Sequence, residues 1–112
     1  MKTFNIFQFN LTNEQINEVN SSKELPEFYK KYSELRWKPT QTAITAAADL
    51  YKKVAEITAK DLEDVFTVSN IGKEQQIKRL APMSSISVGD IIVNEDGEAY
   101  IVNPIGFQQI NF

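Results

Sequence analysis

Residues 84–107 read SSISVGDIIVNEDGEAYIVNPIGF, a polar start followed by two apolar runs and two groups of turn residues. The runs 91–93 and 99–102 have the β-branched and aromatic composition of strands. Asn94-Glu95-Asp96-Gly97 suits a four-residue connection in which Gly97 adopts a positive φ, and Pro104-Ile105-Gly106 suits a second tight turn. The stretch therefore predicts strands over about 89–93 and 98–103 and a returning strand from Phe107 to Ile110.

Upstream of this stretch, the patterns predict one more strand and several helices. Closely spaced aromatic and branched residues predict a strand over residues 3–9. Thr12, with Gln15 three residues later, has the form of a capping box and predicts a helix over about 13–19 whose Ile16 and Val19 face the core. Pro26 opens a second, amphipathic helix whose apolar face has residues three and four apart, namely Phe28, Tyr29, Tyr32 and Leu35.

The middle of the chain is less clearly patterned. Residues 36–40 predict a connector, because Pro39 disfavours helix at the residue before it. The alanine-rich residues 42–51 favour helix, whereas residues 50–57 fit either a helix or a strand. Thr58 predicts the cap of a further helix that Gly72 ends, and the polar residues 73–79 predict a surface segment.

Together these elements predict a single α+β domain over residues 1–112. Its small antiparallel sheet contains the N-terminal strand and the three C-terminal strands, and three to four helices cover one face. A chain of 112 residues is long enough to bury one core.

Composition limits the chemistry, since the chain contains no cysteine and no histidine. Disulfides, zinc sites with Cys or His ligands, and Ser/His/Asp or Cys/His nucleophilic machinery are excluded. We therefore expect a non-enzymatic protein with no catalytic residues, no cofactor and no metal. The N-terminus lacks the apolar stretch of a signal peptide, and no run of eighteen apolar residues occurs, so we expect a cytoplasmic protein without a membrane partner.

The charge of the chain is unevenly distributed. The net charge is −3, and residues 80–112 contain no Lys or Arg but four acids, Asp90, Glu95, Asp96 and Glu98. Such an acidic hairpin repels phosphate backbones. We therefore expect that any nucleic acid would bind elsewhere.

The order of these segments resembles the YodL-like family, small domains found in phages, plasmids and other mobile elements. The most specific part is the pattern Ser85-x-Ser87-Val88-x-Asp90, with Gly106-Phe107 after it. Gly89 stands where the family more often has Ser. The resemblance implies a phage or mobile-element accessory protein and implies no particular activity.

The hairpin signature allows two interpretations. The hydroxyls of Ser85 and Ser87 and the carboxylate of Asp90 could bind a ligand or a cation at the mouth of the hairpin. The favoured interpretation is structural, because Ser and Asp side chains commonly bind backbone N–H groups where a turn leads into a strand. The remaining members of the signature are predicted to shape turns and packing, namely Gly89, Gly97, Gly106 and Phe107.

Aromatic and basic residues are interleaved in one place only, residues 29–38. The candidate binding residues there are Tyr29, Arg36, Trp37 and Lys38. This composition is typical of a protein-binding hot spot or of a platform for single-stranded nucleic acid, although an amphipathic helix with solvated lysines also explains it. We expect binding to a host or self protein, with a nucleic-acid-associated factor using residues 29–38 as the alternative. The sequence leaves open whether Trp37 is exposed.

Overall fold

The computed structural model describes residues 1–112 as four α-helices and six β-strands. The strands are β1 (Lys2–Gln8), β2 (Lys52–Ala59), β3 (Ile77–Arg79), β4 (Ile91–Val93), β5 (Ala99–Val102) and β6 (Phe107–Ile110). The helices are α1 (Asn13–Ser21), α2 (Glu27–Trp37), α3 (Gln41–Ala47) and α4 (Leu62–Ile71). None of these helices has the length and apolar character required to cross a bilayer.

All six strands form one antiparallel sheet in the order β3-β2-β1-β4-β5-β6. The α+β class and the antiparallel sheet are thereby confirmed. Strand β1 is central: it pairs with β2 from Lys2↔Ala59 to Gln8↔Lys52, and with β4 from Asn5↔Val93 to Phe7↔Ile91. The sheet therefore contains two more strands, β2 and β3, than the four that the sequence predicts.

Helices cover both faces of the sheet, so the prediction that they cover one face is wrong. Successive residues of a strand point to opposite faces. Ile92 packs in a core cluster with Val65 and Val68 of α4, whereas its neighbour Ile91 packs in a second cluster with Leu35 of α2 and residues of α3. We call these sides the α4 face and the α2/α3 face.

The ambiguous middle of the chain contains strands. Residues 52–59 form β2, so Thr58 lies within a strand and caps no helix; Asp61 caps α4 by accepting a hydrogen bond of 2.8 Å from the Asp64 N–H. Gly72 ends that helix with a φ of 78°, as predicted. Residues 77–79, predicted as polar surface, form the edge strand β3.

Helix α1 begins as predicted but packs differently. Thr12 and Gln15 form the capping box, with hydrogen bonds of 2.9 and 3.1 Å. The helix has no buried residue, and Ile16 is 42% exposed. The expectation that Ile16 and Val19 face the core is therefore wrong, because α1 lies outside both core clusters.

Candidate functional site

A buried polar cluster joins the end of α2 to the start of the hairpin. The Asp90 side chain is fully buried, and its Oδ1 accepts a hydrogen bond of 3.1 Å from Nη1 of Arg36. Its Oδ2 accepts from Nε2 of Gln8 at 3.0 Å and from the Ser87 N–H at 2.9 Å. The two oxygens thus bind three donors from three separate parts of the chain.

Arg36 is the hub of this cluster. The sequence predicts it in a connector, but it lies in the last turn of α2, which extends to Trp37. Besides Asp90, its guanidinium donates to Ser87 Oγ at 2.8 Å and to Asn10 Oδ1 at 3.0 Å. It also donates to two backbone carbonyls, those of Phe9 and Val88, and lies 5.2 Å from the centre of the Tyr32 ring. The Arg36 guanidinium therefore donates its hydrogen bonds to groups of its own chain.

Gln8 completes the cluster from β1. Its amide oxygen accepts from Nδ2 of Asn10 at 2.7 Å and from the Ser84 N–H at 3.2 Å. Its amide nitrogen donates to the Ser84 carbonyl at 3.0 Å in addition to Asp90. No buried side-chain nitrogen or oxygen in the protein lacks a hydrogen-bond partner. The cluster is therefore satisfied internally, as a structural network requires.

Burial changes the acidity of two groups in this region. Burial raises the pKa of Asp90, and the charge of Arg36 opposes that change. Burial, together with the Asp90 carboxylate, also raises the pKa of Tyr51, whose hydroxyl donates to the Gly89 carbonyl at 2.6 Å. Tyr51 therefore stays protonated and acts as a hydrogen-bond donor to the hairpin.

Gly89 brings the hairpin against the backbone of α2. Its φ is 93°, and a Cβ added there would lie 2.6 Å from the Leu35 carbonyl oxygen. Any side chain would therefore collide with the helix backbone. This close approach places Asp90, the next residue, beside Arg36.

The other members of the hairpin signature lie apart from this cluster. Ser85 is exposed, and Gly97 and Gly106 occupy the two turns with φ values of 82° and 73°. Phe107 packs partly against the α4-face core and lines a hollow of about 330 Å³ together with Phe66 and Glu63. The structure therefore brings together Ser87, Gly89 and Asp90 but not the whole signature.

Trp37 lies at the end of α2 and is 83% exposed. It borders a hollow of about 480 Å³ on the α2/α3 face, which we call the Trp37 groove, lined by Trp37, Lys38, Pro39, Asn103, Pro104, Ile105 and Gln108. Ile105, in the turn between β5 and β6, is 93% exposed. Two large apolar side chains therefore extend into solvent beside one groove.

Tyr29 lies on the other side of Trp37. A shallow hollow of about 380 Å³ is lined there by Tyr29, Tyr32, Ser33, Arg36 and Trp37. The structure thus places Tyr29, Trp37 and Lys38 on one continuous surface, and Arg36 beneath it.

Sequence reasoning missed Gln8, Asn10 and Tyr51 as members of the buried cluster. Gln8 carried a usable signal, because it follows Phe4 and Ile6 at the alternate positions of β1 that face inward. A polar residue at such a position needs a buried partner. Asn10 and Tyr51 carried no comparable signal.

No three acidic side chains of the protein are arranged so that they could hold a metal ion. Comparisons of the chain with protein-family models, with curated proteins and with solved structures find no match. The geometry of these surfaces therefore carries the functional argument.

Proposed function

We propose that this protein is a non-catalytic binding module that engages a protein partner through the Trp37 groove. The observation that carries this proposal is the exposure of Trp37, 83%, beside Ile105, 93%, at the rim of one groove. Tryptophan is among the side chains that contribute most to the binding energy of protein interfaces. The resemblance to YodL-like domains adds a phage or mobile-element setting, with a host or self protein as the partner.

The residues before and after Trp37 hold its backbone in place. Arg36, the residue before it, is held by Asp90 and Ser87. Pro39, two residues after it, is buried and limits the backbone. A side chain presented from a fixed backbone loses less conformational entropy on binding. This arrangement supports recognition by the indole, with Arg36 as a residue that positions Trp37.

The satisfied state of the buried cluster supports a non-catalytic role for it. Each oxygen of Asp90 binds donors from this chain, and Tyr51 donates to Gly89. An acid or base that acts on a substrate must instead reach the reacting group.

Affinity capture from the native host cell tests the proposal. Wild-type protein should retain a partner that Trp37→Ala loses, and the purified pair should bind with an affinity that Trp37→Ala lowers roughly 30-fold, the effect of a hot-spot residue. Ile71→Ala is the matched control, because Ile71 is also exposed, 68%, but ends α4. Equal loss of binding in both variants, or equal retention, would contradict the proposal.

A nucleic-acid role for residues 29–38 is the second candidate. Its specific support is that the exposed side chains of Lys30 and Lys38 flank Tyr29 and Trp37. A labelled single-stranded oligonucleotide should then bind at low salt, weaken steeply as salt rises, and be lost with Trp37→Ala. The absence of any binding at low salt would eliminate this candidate.

A further inference from the structure

The two edge strands of the sheet, β3 and β6, differ in how they are protected against pairing with another chain. Strand β3 has three residues, Ile77-Lys78-Arg79, of which two are charged. Charged residues on an edge strand are one device that prevents edge pairing. Strand β6, Phe107-Gln108-Gln109-Ile110, carries no charge, and no charged residue occurs from Ala99 to Phe112. One edge is therefore protected against pairing and the other is open to it.

The hydrogen bonds of β5 show which backbone groups of β6 are free. The Asn103 N–H donates to the Gly106 carbonyl at 3.0 Å, and the Val102 N–H donates away from β6, to Asp90, at 2.9 Å. Hydrogen-bonded pairs alternate along an antiparallel ladder, so Gln108 and Ile110 bond to β5. The N–H and C=O groups of Phe107 and Gln109 consequently point outward from the edge.

The free part of the edge ends at Ile110. The Asn111 N–H donates to Oε1 of Gln41 at 2.9 Å, and its carbonyl accepts from Nε2 of Gln41 at 2.8 Å. Gln41 therefore occupies both backbone groups of Asn111. Only Phe107 and Gln109 are available for a new strand.

We propose that a second copy of this chain pairs antiparallel with β6, with Gln108 opposite Gln108 of the second copy. Residues directly opposite each other in an antiparallel pair have side chains on the same face of the sheet. A two-fold axis perpendicular to the sheet must therefore place one residue of β6 directly opposite the same residue of the second copy. With the axis at Gln108, Phe107 of each copy lies opposite Gln109 of the other copy. The outward N–H and C=O groups of these two residues then form the hydrogen bonds between the copies. An axis at Gln109 would instead require the backbone of Asn111, which Gln41 occupies.

The absence of charge favours a second copy over an unrelated chain. Pairing about a two-fold axis places like residues near one another, and like charges directly opposite would repel. Residues 99–112 avoid this repulsion entirely. In the dimer, the six-stranded sheets of the two copies would join into one continuous sheet, with both Trp37 grooves on the same face. The pairing uses the backbone of β6, although the Gln108 side chain at the axis also lines the Trp37 groove.

Sedimentation of the full chain over a concentration series tests the pairing. The wild-type mass should rise from 12.8 kDa toward twice that value. Gln108→Lys places two ammonium groups together at the axis and should weaken the dimer roughly tenfold or more. Mixing Gln108→Lys with Gln108→Glu should restore it as a heterodimer, because opposite charges then meet.

Gln109→Lys is the matched control, because its charge would lie opposite Phe107 of the second copy and beside Glu98 of its own chain, with no like charge opposite it. It should weaken the dimer less than Gln108→Lys, and circular dichroism should show that both variants fold. Trp37→Ala should dimerise like the wild type, which separates this result from the fate of the proposed function. A wild-type protein that stays at 12.8 kDa up to about 1 mM overturns the proposal. A dimer that Gln108→Lys leaves intact, or a monomer whose β6 edge binds an unrelated peptide, also overturns it.

Discussion

Arg36 and Asp90 form an ion pair of 3.1 Å that joins the last turn of α2 to the residue before β4, and the Asp90 side chain has no exposed surface. A buried carboxylate loses hydration, so it is tolerated only where charge and hydrogen bonds replace the water. Gln8 and Ser87 supply those further bonds. The pair therefore fixes where the helix, the first strand and the hairpin meet.

Asp90→Asn should lower the free energy of unfolding by about 1–3 kcal/mol, because an amide leaves buried donors without an acceptor. Urea denaturation followed by circular dichroism measures this loss. Asp96→Asn is the control: Asp96 lies exposed in the hairpin turn, and its replacement should stay within about 0.5 kcal/mol of the wild type. Equal stability of Asp90→Asn and the wild type would show that the network contributes nothing.

The raised pKa of Asp90 predicts a pH dependence. Because burial raises this pKa above its ordinary value of 3.8, the folded protein binds the proton more readily than the unfolded chain. The contribution of Asp90 to the free energy of unfolding should then fall as the pH rises from 3.8 through the raised pKa, and stay constant above it. Urea titrations of wild type and Asp90→Asn across this range give the difference. A difference that increases with pH would mean that Arg36 outweighs burial.

Gly89→Ala and Gly97→Ala separate two costs of replacing a glycine. Both positions have a positive φ, 93° and 82°, but only the Cβ at position 89 meets another atom, the Leu35 carbonyl oxygen. Gly97→Ala should cost about 1–2 kcal/mol from the backbone conformation alone. Gly89→Ala should cost clearly more, and Gly89→Ser should do the same, because any Cβ at this position meets the Leu35 carbonyl oxygen. Thermal and urea unfolding would contradict this if the two alanine variants were equally stable.

Trp37 is the only tryptophan in the chain, so its fluorescence reports on one site. With 83% exposure, the folded protein should show the emission and the acrylamide quenching of an indole in water. Unfolding in urea should change the emission wavelength little, whereas a bound partner should shift it to the blue and reduce quenching. A blue emission in the free, dilute protein would instead place Trp37 in an apolar environment.

Local signals predicted the elements that depend on neighbouring residues. The capping box at Thr12, the positive φ of Gly97 and the bounds of β6 were all predicted from adjacent residues and are confirmed. Strand β3 was missed because Lys78 and Arg79, which face solvent at the sheet edge, give a strand the composition of a loop.

Longer-range features were harder to predict. The consecutive residues Ile91 and Ile92 already indicate burial on both faces, a signal that the one-face prediction overlooked. The pairing of Arg36 with Asp90 depends on the relative placement of α2 and the hairpin, which no local pattern encodes. The sequence indicates that the candidate binding residues lie close to one another. It does not indicate that the Arg36 side chain points into the protein, toward Ser87 and Asp90.

The central position of β1 also affects how the chain folds. This strand is synthesised first, and one of its two neighbours, β4, begins only at Ile91. Until that neighbour has emerged from the ribosome, one long edge of an aromatic-rich strand stays unpaired. Contacts between distant parts of a chain form slowly, and unpaired strand edges promote association with other chains. Until β4 has been synthesised, the unpaired edge of β1 is therefore open to association with other chains.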